Sequence, residues 1–176
     1  MRRVSVVGNS GAGKSVLAAQ LAQRLQVPHI ELDAIFHLPD WRELPVDRFR
    51  AAVLQGTSAD GWVVDGNYAA VRDSVWAKAD TIVWLDPPRR VVMRRIIRRT
   101  FTRILLRRRL WNGNRESVKK LFSRDPERSI ILWSWTKHAD YRARYTAATA
   151  DPRWSHVRFV RVRSASEAQA LLASIA

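Results

Sequence analysis

Eight residues near the start of the chain, Gly8-Asn9-Ser10-Gly11-Ala12-Gly13-Lys14-Ser15, fit G-x-x-x-x-G-K-[ST] at every fixed position. An apolar run, Val4-Ser5-Val6-Val7, precedes them and a helical pattern follows. This is the strand–loop–helix context in which such a loop cradles phosphate. Its glycines let backbone N–H groups converge on phosphate oxygens, and the next helix adds partial positive charge at its N-terminus. Gly8, Asn9, Ser10, Gly11, Ala12, Gly13, Lys14, Ser15 and Val16 are therefore the candidate nucleotide-binding residues. Lys14 is expected to reach the β- and γ-phosphates, and Ser15 to place its hydroxyl on Mg²⁺. A chance Lys-Ser in a glycine-rich turn would share the composition but not the context.

Three apolar runs end in aspartate, at Asp33, Asp65 and Asp86. A carboxylate at the carboxyl end of a parallel strand faces the ligand crevice. Trp62-Val63-Val64-Asp65 has the form of a Walker B element, so Ser15 and Asp65 are the candidate metal ligands. Gly66 follows, and glycine permits close approach to phosphate. Asp33 is read as the group that accepts a proton from, or orients, the acceptor. Asp86 precedes two prolines and reads as a helix N-cap. His37 lies four residues after Asp33, and a surface or core role is kept for it. Arg94 to Arg128 leave three readings open. Arg99, Arg103, Arg115 and Arg128 are candidate catalytic lid residues that stabilise transition-state charge. The segment is alternatively a nucleic-acid surface, or a solvated face.

Positioning these groups requires alternating strands and helices, hence an α/β fold with a parallel sheet. Strands are expected at 4–7, 29–32, 62–64, 81–85 and 157–162. Helices are expected after the loop, ending by Pro28, and at about 46–58, 70–78, from Pro88 onward, 126–147 and 166–175. The region 34–44 reads as irregular. In the helix after Pro88, Met93, Ile96, Ile97, Phe101 and Ile104 mark one side and Arg94, Arg95, Arg98 and Arg99 the other. Trp62, Trp76 and Trp84 read as core. Trp41 and Trp111 fall in irregular stretches, where packing is preferred over stacking on a base.

The chain has 176 residues, no cysteine and a formal net charge of +15. One domain is expected at this length, and disulfides and thiolate metal sites are excluded. From Pro88 to Arg128 there are fifteen Lys/Arg against three Asp/Glu, so nearly all the net charge sits in one segment. A polyanionic partner should meet it there. No run is long enough for a membrane span or a secretory signal core. The expectation is a cytoplasmic protein with no membrane partner; oligomeric state is not readable.

The phosphate loop, Leu32-Asp33, Asp65-Gly66-Asn67-Tyr68, Leu85-Asp86-Pro87 and the arginine helix together resemble the adenylate-kinase-like branch of P-loop kinases. Three runs sharpen the likeness: Leu32-Asp33-Ala34-Ile35-Phe36 with Trp41, Val64-Asp65-Gly66-Asn67-Tyr68, and Leu110-Trp111-Asn112-Gly113-Asn114-Arg115-Glu116. With these the chain resembles the bacterial DNA topology modulation protein family. The resemblance implies a three-layer P-loop NTPase fold whose five-stranded parallel sheet has the order 2-3-1-4-5, with helices on both faces. It implies ATP and Mg²⁺ on Gly8 to Ser15, a substrate region at about 34–60, a basic lid at about 100–128, and adenine near Ser164-Ala165-Ser166. It also implies transfer of the γ-phosphate of ATP to an acceptor; an ATPase acting on nucleic acid through the basic segment is the alternative. The arginines with which adenylate kinases grip a nucleoside monophosphate have no counterpart at Asp33-Ala34-Ile35-Phe36-His37 or Gly66-Asn67-Tyr68.

Overall fold

The computed structural model describes residues 1–106, 110–114 and 129–175. Five strands form one sheet: β1 (Arg3–Gly8), β2 (His29–Glu31), β3 (Trp62–Asp65), β4 (Thr81–Leu85) and β5 (Arg158–Val162). Their order is β2-β3-β1-β4-β5, and every neighbouring pair is parallel. The expected strand order is thus observed.

Period-2 alternation sends each strand's side chains to both faces, and both faces are apolar. Val4, Val6, Val63, Val83 and Leu85 join α1 (Lys14–Leu25) and the C-terminal helix in one layer. Val7, Trp62, Val64, Ile82 and Trp84 join Phe49, Trp76 and Tyr145 in the other. Trp62, Trp76 and Trp84 are buried, as core residues.

Among the described residues the remaining helices are α2 (Leu32–Phe36), α3 (Val46–Gly56), α4 (Ala69–Lys78), α5 (Arg89–Leu105), α6 (Ile130–Thr149) and α7 (Ala165–Ala173). α1 stops at Leu25, before Pro28, because Gln26 turns into the left-handed region at φ 54°. β2 closes at Glu31, so Asp33 belongs to α2 and not to a strand end. The stretch 34–44 is less irregular than expected: α2 covers its start, and a 3₁₀ turn covers Pro39–Trp41. α6 starts at Ile130, where the Ser129 hydroxyl accepts the Leu132 N–H. The expected start near Pro126 lies outside the described residues.

Two readings around α5 are corrected. Asp86 does not cap it. Its carboxylate accepts from Arg142 Nε at 3.1 Å and Arg161 Nε at 3.0 Å, binding α6 and β5 to the end of β4. Pro88 accepts the first helical N–H groups instead. The amphipathic face is also rotated. Val92, Ile96 and Thr100 are the buried stripe, whereas Ile97 and Phe101 are exposed. Arg95 and Arg99 flank the buried stripe and reach the phosphate loop.

Candidate active site

The loop between β1 and α1 has the shape its glycines predict. Gly8, Gly11 and Gly13 have φ of 141°, 78° and 105°, a region costly for residues bearing a Cβ. A Cβ on Gly8 would collide with the Leu85 carbonyl, and one on Gly11 with Ile96 of α5. The backbone N–H groups of Gly11, Gly13, Lys14, Ser15 and Val16 donate to no described protein group. They form a convergent set of free donors at a helix N-terminus, which is the arrangement that binds an anion. Ser15 and the Val16 side chain are exposed beside it.

Side chains from three directions hold this loop. Asn67 Oδ1 accepts the Gly8 N–H at 3.2 Å and its Nδ2 donates to the Gly8 carbonyl at 2.6 Å. Tyr145 of α6 donates to the same Oδ1 at 2.9 Å. Buried Asn9 donates to the Ser134 carbonyl at 2.8 Å, while its Oδ1 accepts the Ser10 N–H. From α5, Arg95 donates to the Ala12 carbonyl at 2.8 Å and Arg99 to the Ser10 hydroxyl at 3.3 Å. Lys14 Nζ donates to the Asn9 carbonyl at 3.2 Å. Burial lowers the Lys14 pKa, and Arg99 adds to that effect; Asp33 and Asp65 oppose it. Loop, α5 arginines and both aspartates therefore share one electrostatic site.

The parallel register puts Asp65 beside Val6 on one side and Glu31 on the other. Asp65 is buried, and its Oδ1 accepts from His29 Nε2 at 3.2 Å. That hydrogen bond is the chief reason the His29 pKa is raised, against the opposing effect of burial. A raised histidine pKa stabilises the fold fully below the unfolded value of about 6.5, and the gain is lost as pH rises through the folded pKa. Asp65→Asn should therefore lower the His29 pKa toward the free value and flatten the fall of stability as pH rises from about 6.5. A histidine titration by NMR with melting curves across that range checks both. An unchanged His29 pKa in the variant would refute the coupling.

Asp33, in α2, accepts from the Tyr68 hydroxyl at 2.6 Å. Burial and the Asp33 charge push the Tyr68 pKa far up, so its proton stays in that bond. His37 Nε2 lies 3.4 Å from the same hydroxyl. The His37 ring meets Trp41 edge-on at 5.3 Å and stacks with Trp111 at 6.1 Å. The 3₁₀ turn Trp111–Gly113 closes this side of the site. Trp111 Nε1 donates to Glu31 at 2.6 Å, and Asn112 to the Ala34 and His37 carbonyls. Asn114 donates to the Leu38 carbonyl and accepts the Trp41 N–H. Tyr68 and the described part of the third run, residues 110–114, thus meet the segment that carries Asp33.

Of the sequence candidates, Gly8 to Val16, Asp33, Asp65 and Arg99 converge here. Arg103 follows Arg99 by one turn of α5. Arg115 and Arg128 lie outside the described residues. Among the residues at the site that escaped the candidate set are Asn67, Tyr68, Arg95, Ser134 and Tyr145. Arg95 had a readable signal, since it precedes Arg99 by four residues on a helix. Ser134 and Tyr145 had none; only the return of α6 across the sheet brings them to the loop. Among the described residues no cluster of three His, Cys, Asp or Glu suited to a metal is present. The Ser15 hydroxyl and Asp65 carboxylate are oxygen donors of the kind Mg²⁺ takes alongside phosphate oxygens.

No family model matches the chain. Among curated proteins, the uncharacterized protein YqaC of Bacillus subtilis (strain 168) is 28% identical over 105 residues, 58% of each chain. The match therefore spans little more than half of that relative's length. Solved structures align over nearly the whole chain. A shikimate kinase from Acinetobacter baumannii in complex with shikimate gives a TM-score of 0.59 at 14% identity, covering 99% of this chain and 90% of that one. A deoxyadenosine kinase from M. mycoides with products dcmp and dcdp bound gives 0.54 at 12%, covering 97% of each. A gluconokinase from Sinorhizobium meliloti 1021 gives 0.51 at 22%, covering 99% and 93%. Identities this low speak to architecture alone, and the architecture they share is the one seen here: the chain has the kinase-like P-loop fold.

Proposed function

We propose that the chain is a P-loop phosphotransferase that moves the γ-phosphoryl group of ATP to a small acceptor held between α2 and the β3–α4 turn. The observation that supports this most directly is the phosphate loop itself, whose free N–H groups converge at the start of α1 with Arg95 and Arg99 of α5 bonded to the same loop; Asp33 and Asp65 both act on the Lys14 charge beside it. A carboxylate from the acceptor side and one from the nucleotide side act on the lysine that would neutralise the transferred group. Asp33 then accepts the acceptor's hydroxyl proton, and Tyr68 fixes its orientation. The free N–H groups of Gly11, Gly13, Lys14, Ser15 and Val16 hold the phosphates, with Lys14 and Arg99 neutralising charge as it spreads over the transferred group. Arg103, and Arg115 and Arg128 from the proposed lid at about 100–128, are assigned the same task. Ser15 and Asp65 would hold Mg²⁺, whose chemistry is to neutralise phosphate charge. Residues at about 34–60 form the substrate region.

Catalysis of this kind is positioning plus electrostatics, with little covalent work for the protein. The test is transfer of radiolabelled γ-phosphate from ATP across nucleosides, nucleotides, sugars and small hydroxy acids, with a no-acceptor control. Transfer to one acceptor class above hydrolysis is the expected result. Hydrolysis alone across the panel would replace the kinase by an ATP hydrolase, and absence of both would overturn the reading.

A further inference from the structure

One face of α5 serves neither the loop nor the core. Arg90, Arg94 and Arg98 recur along it at four-residue spacing, and Ile97, Phe101 and Leu105 recur at the same spacing beside them. Residues three and four apart are neighbours on a helix surface, so the two rows form one mixed face. Ile97 is 41% exposed, Phe101 55%, Leu105 83% and the adjoining Leu106 56%. Trp135 of α6 is 50% exposed, with the Arg89 guanidinium 4.7 Å above its ring. Among the described residues no carboxylate pairs with Arg90, Arg94 or Arg98. The segment from Pro88 to Arg128 carries most of the molecule's net positive charge.

The arginines call for an anionic partner, and the apolar row narrows the choice. A nucleic acid offers phosphates to the arginines and base faces to Phe101, but aliphatic Ile97, Leu105 and Leu106 gain little from it. The surface of an acidic bilayer takes both rows at once. Arginines meet headgroup phosphates while aliphatic and aromatic side chains enter the acyl boundary. We propose that this face of α5 docks the protein on anionic phospholipid. No described helix is long and apolar enough to cross a bilayer, and a surface-lying face needs no such run, so the expected absence of a membrane partner gives way to docking at the surface.

Docking here is independent of phosphotransfer, since Arg95 and Arg99 point to the loop from elsewhere on the helix. Co-sedimentation of the full chain with phosphatidylcholine vesicles, with and without phosphatidylglycerol, tests it. Binding is expected only where phosphatidylglycerol is present, falling as salt rises. Arg90→Gln and Arg94→Gln should each weaken it roughly fivefold. Combined Ile97→Ser, Phe101→Ser and Leu105→Ser should weaken it at least tenfold while circular dichroism stays unchanged, because all three side chains are already exposed. No binding to the acidic vesicles at low salt overturns the proposal, and so does full binding by the triple variant. Preferential binding of single-stranded DNA, with the triple variant unimpaired, would assign the face to nucleic acid and overturn it as well.

Discussion

Lys14→Ala is expected to lower ATP turnover by about 10²–10³-fold, the usual cost of removing one preorganised charge from a developing oxyanion, without weakening the empty fold. The Lys14 ammonium is held where burial depresses its pKa and Arg99 repels it. A lysine whose pKa falls on folding costs stability wherever it is still charged in the native state. That cost is full below the native pKa, declines as pH rises through it, and vanishes above the unfolded value of about 10.4. At neutral pH the empty wild type therefore bears it and the variant does not. Asp33 and Asp65 lose a favourable countercharge in the exchange, which offsets part of the gain. A bound triphosphate reverses the balance, since several negative charges then face the ammonium. The variant should melt no lower than wild type when empty, yet lose most of the upward shift in melting temperature caused by ATP–Mg²⁺. Lys14→Met keeps the aliphatic stem and controls for the lost volume. Wild-type turnover in either variant would remove Lys14 from the chemistry, and a collapsed melting temperature in both would make it a structural residue.

What the sequence could disclose was set by how local the physics was. The phosphate loop is nine consecutive residues whose glycine torsions and helix start are encoded in place, so Gly8 to Val16 were legible together. β3 and β4 were legible because buried parallel strands read as short apolar runs. The face of α5 was misread because paired arginines and paired aliphatics fit two helical stripes about equally well. Tertiary contact chose between them: Ile96 packs on Gly11, and Arg95 is claimed by the Ala12 carbonyl. Asp86 looked like a cap because prolines follow it, but Arg142 and Arg161 compete for its carboxylate. Nothing local announces residues 56 and 75 positions further along the chain. Trp111 and Asn112 raise the same difficulty, since their partners Glu31, Ala34 and His37 precede them by 75 to 80 positions.

Asp33→Asn should separate transfer from binding, lowering phosphate transfer to the acceptor by about 10²–10⁴-fold while ATP affinity changes little. The substitution is nearly isosteric. The amide oxygen can still accept the Tyr68 hydroxyl proton, so the hydrogen bond that seats the side chain survives. What disappears is the ability to take a proton from the acceptor hydroxyl. One side effect follows from electrostatics. Asp33 is the largest of the influences raising the Lys14 pKa, so neutralising it lowers that pKa further. The pH above which the empty site loses its lysine charge should then shift downward in Asp33→Asn. Asp65→Asn predicts a different pattern, because Asp65 holds His29 and is assigned to the metal: ATP–Mg²⁺ affinity and transfer should fall together. Measuring ATP–Mg²⁺ affinity by calorimetry beside transfer kinetics for both variants distinguishes the roles. Equal losses of affinity and transfer in Asp33→Asn would make Asp33 a nucleotide or metal residue. Unchanged transfer would remove it from the mechanism and leave the Tyr68 bond as its whole function.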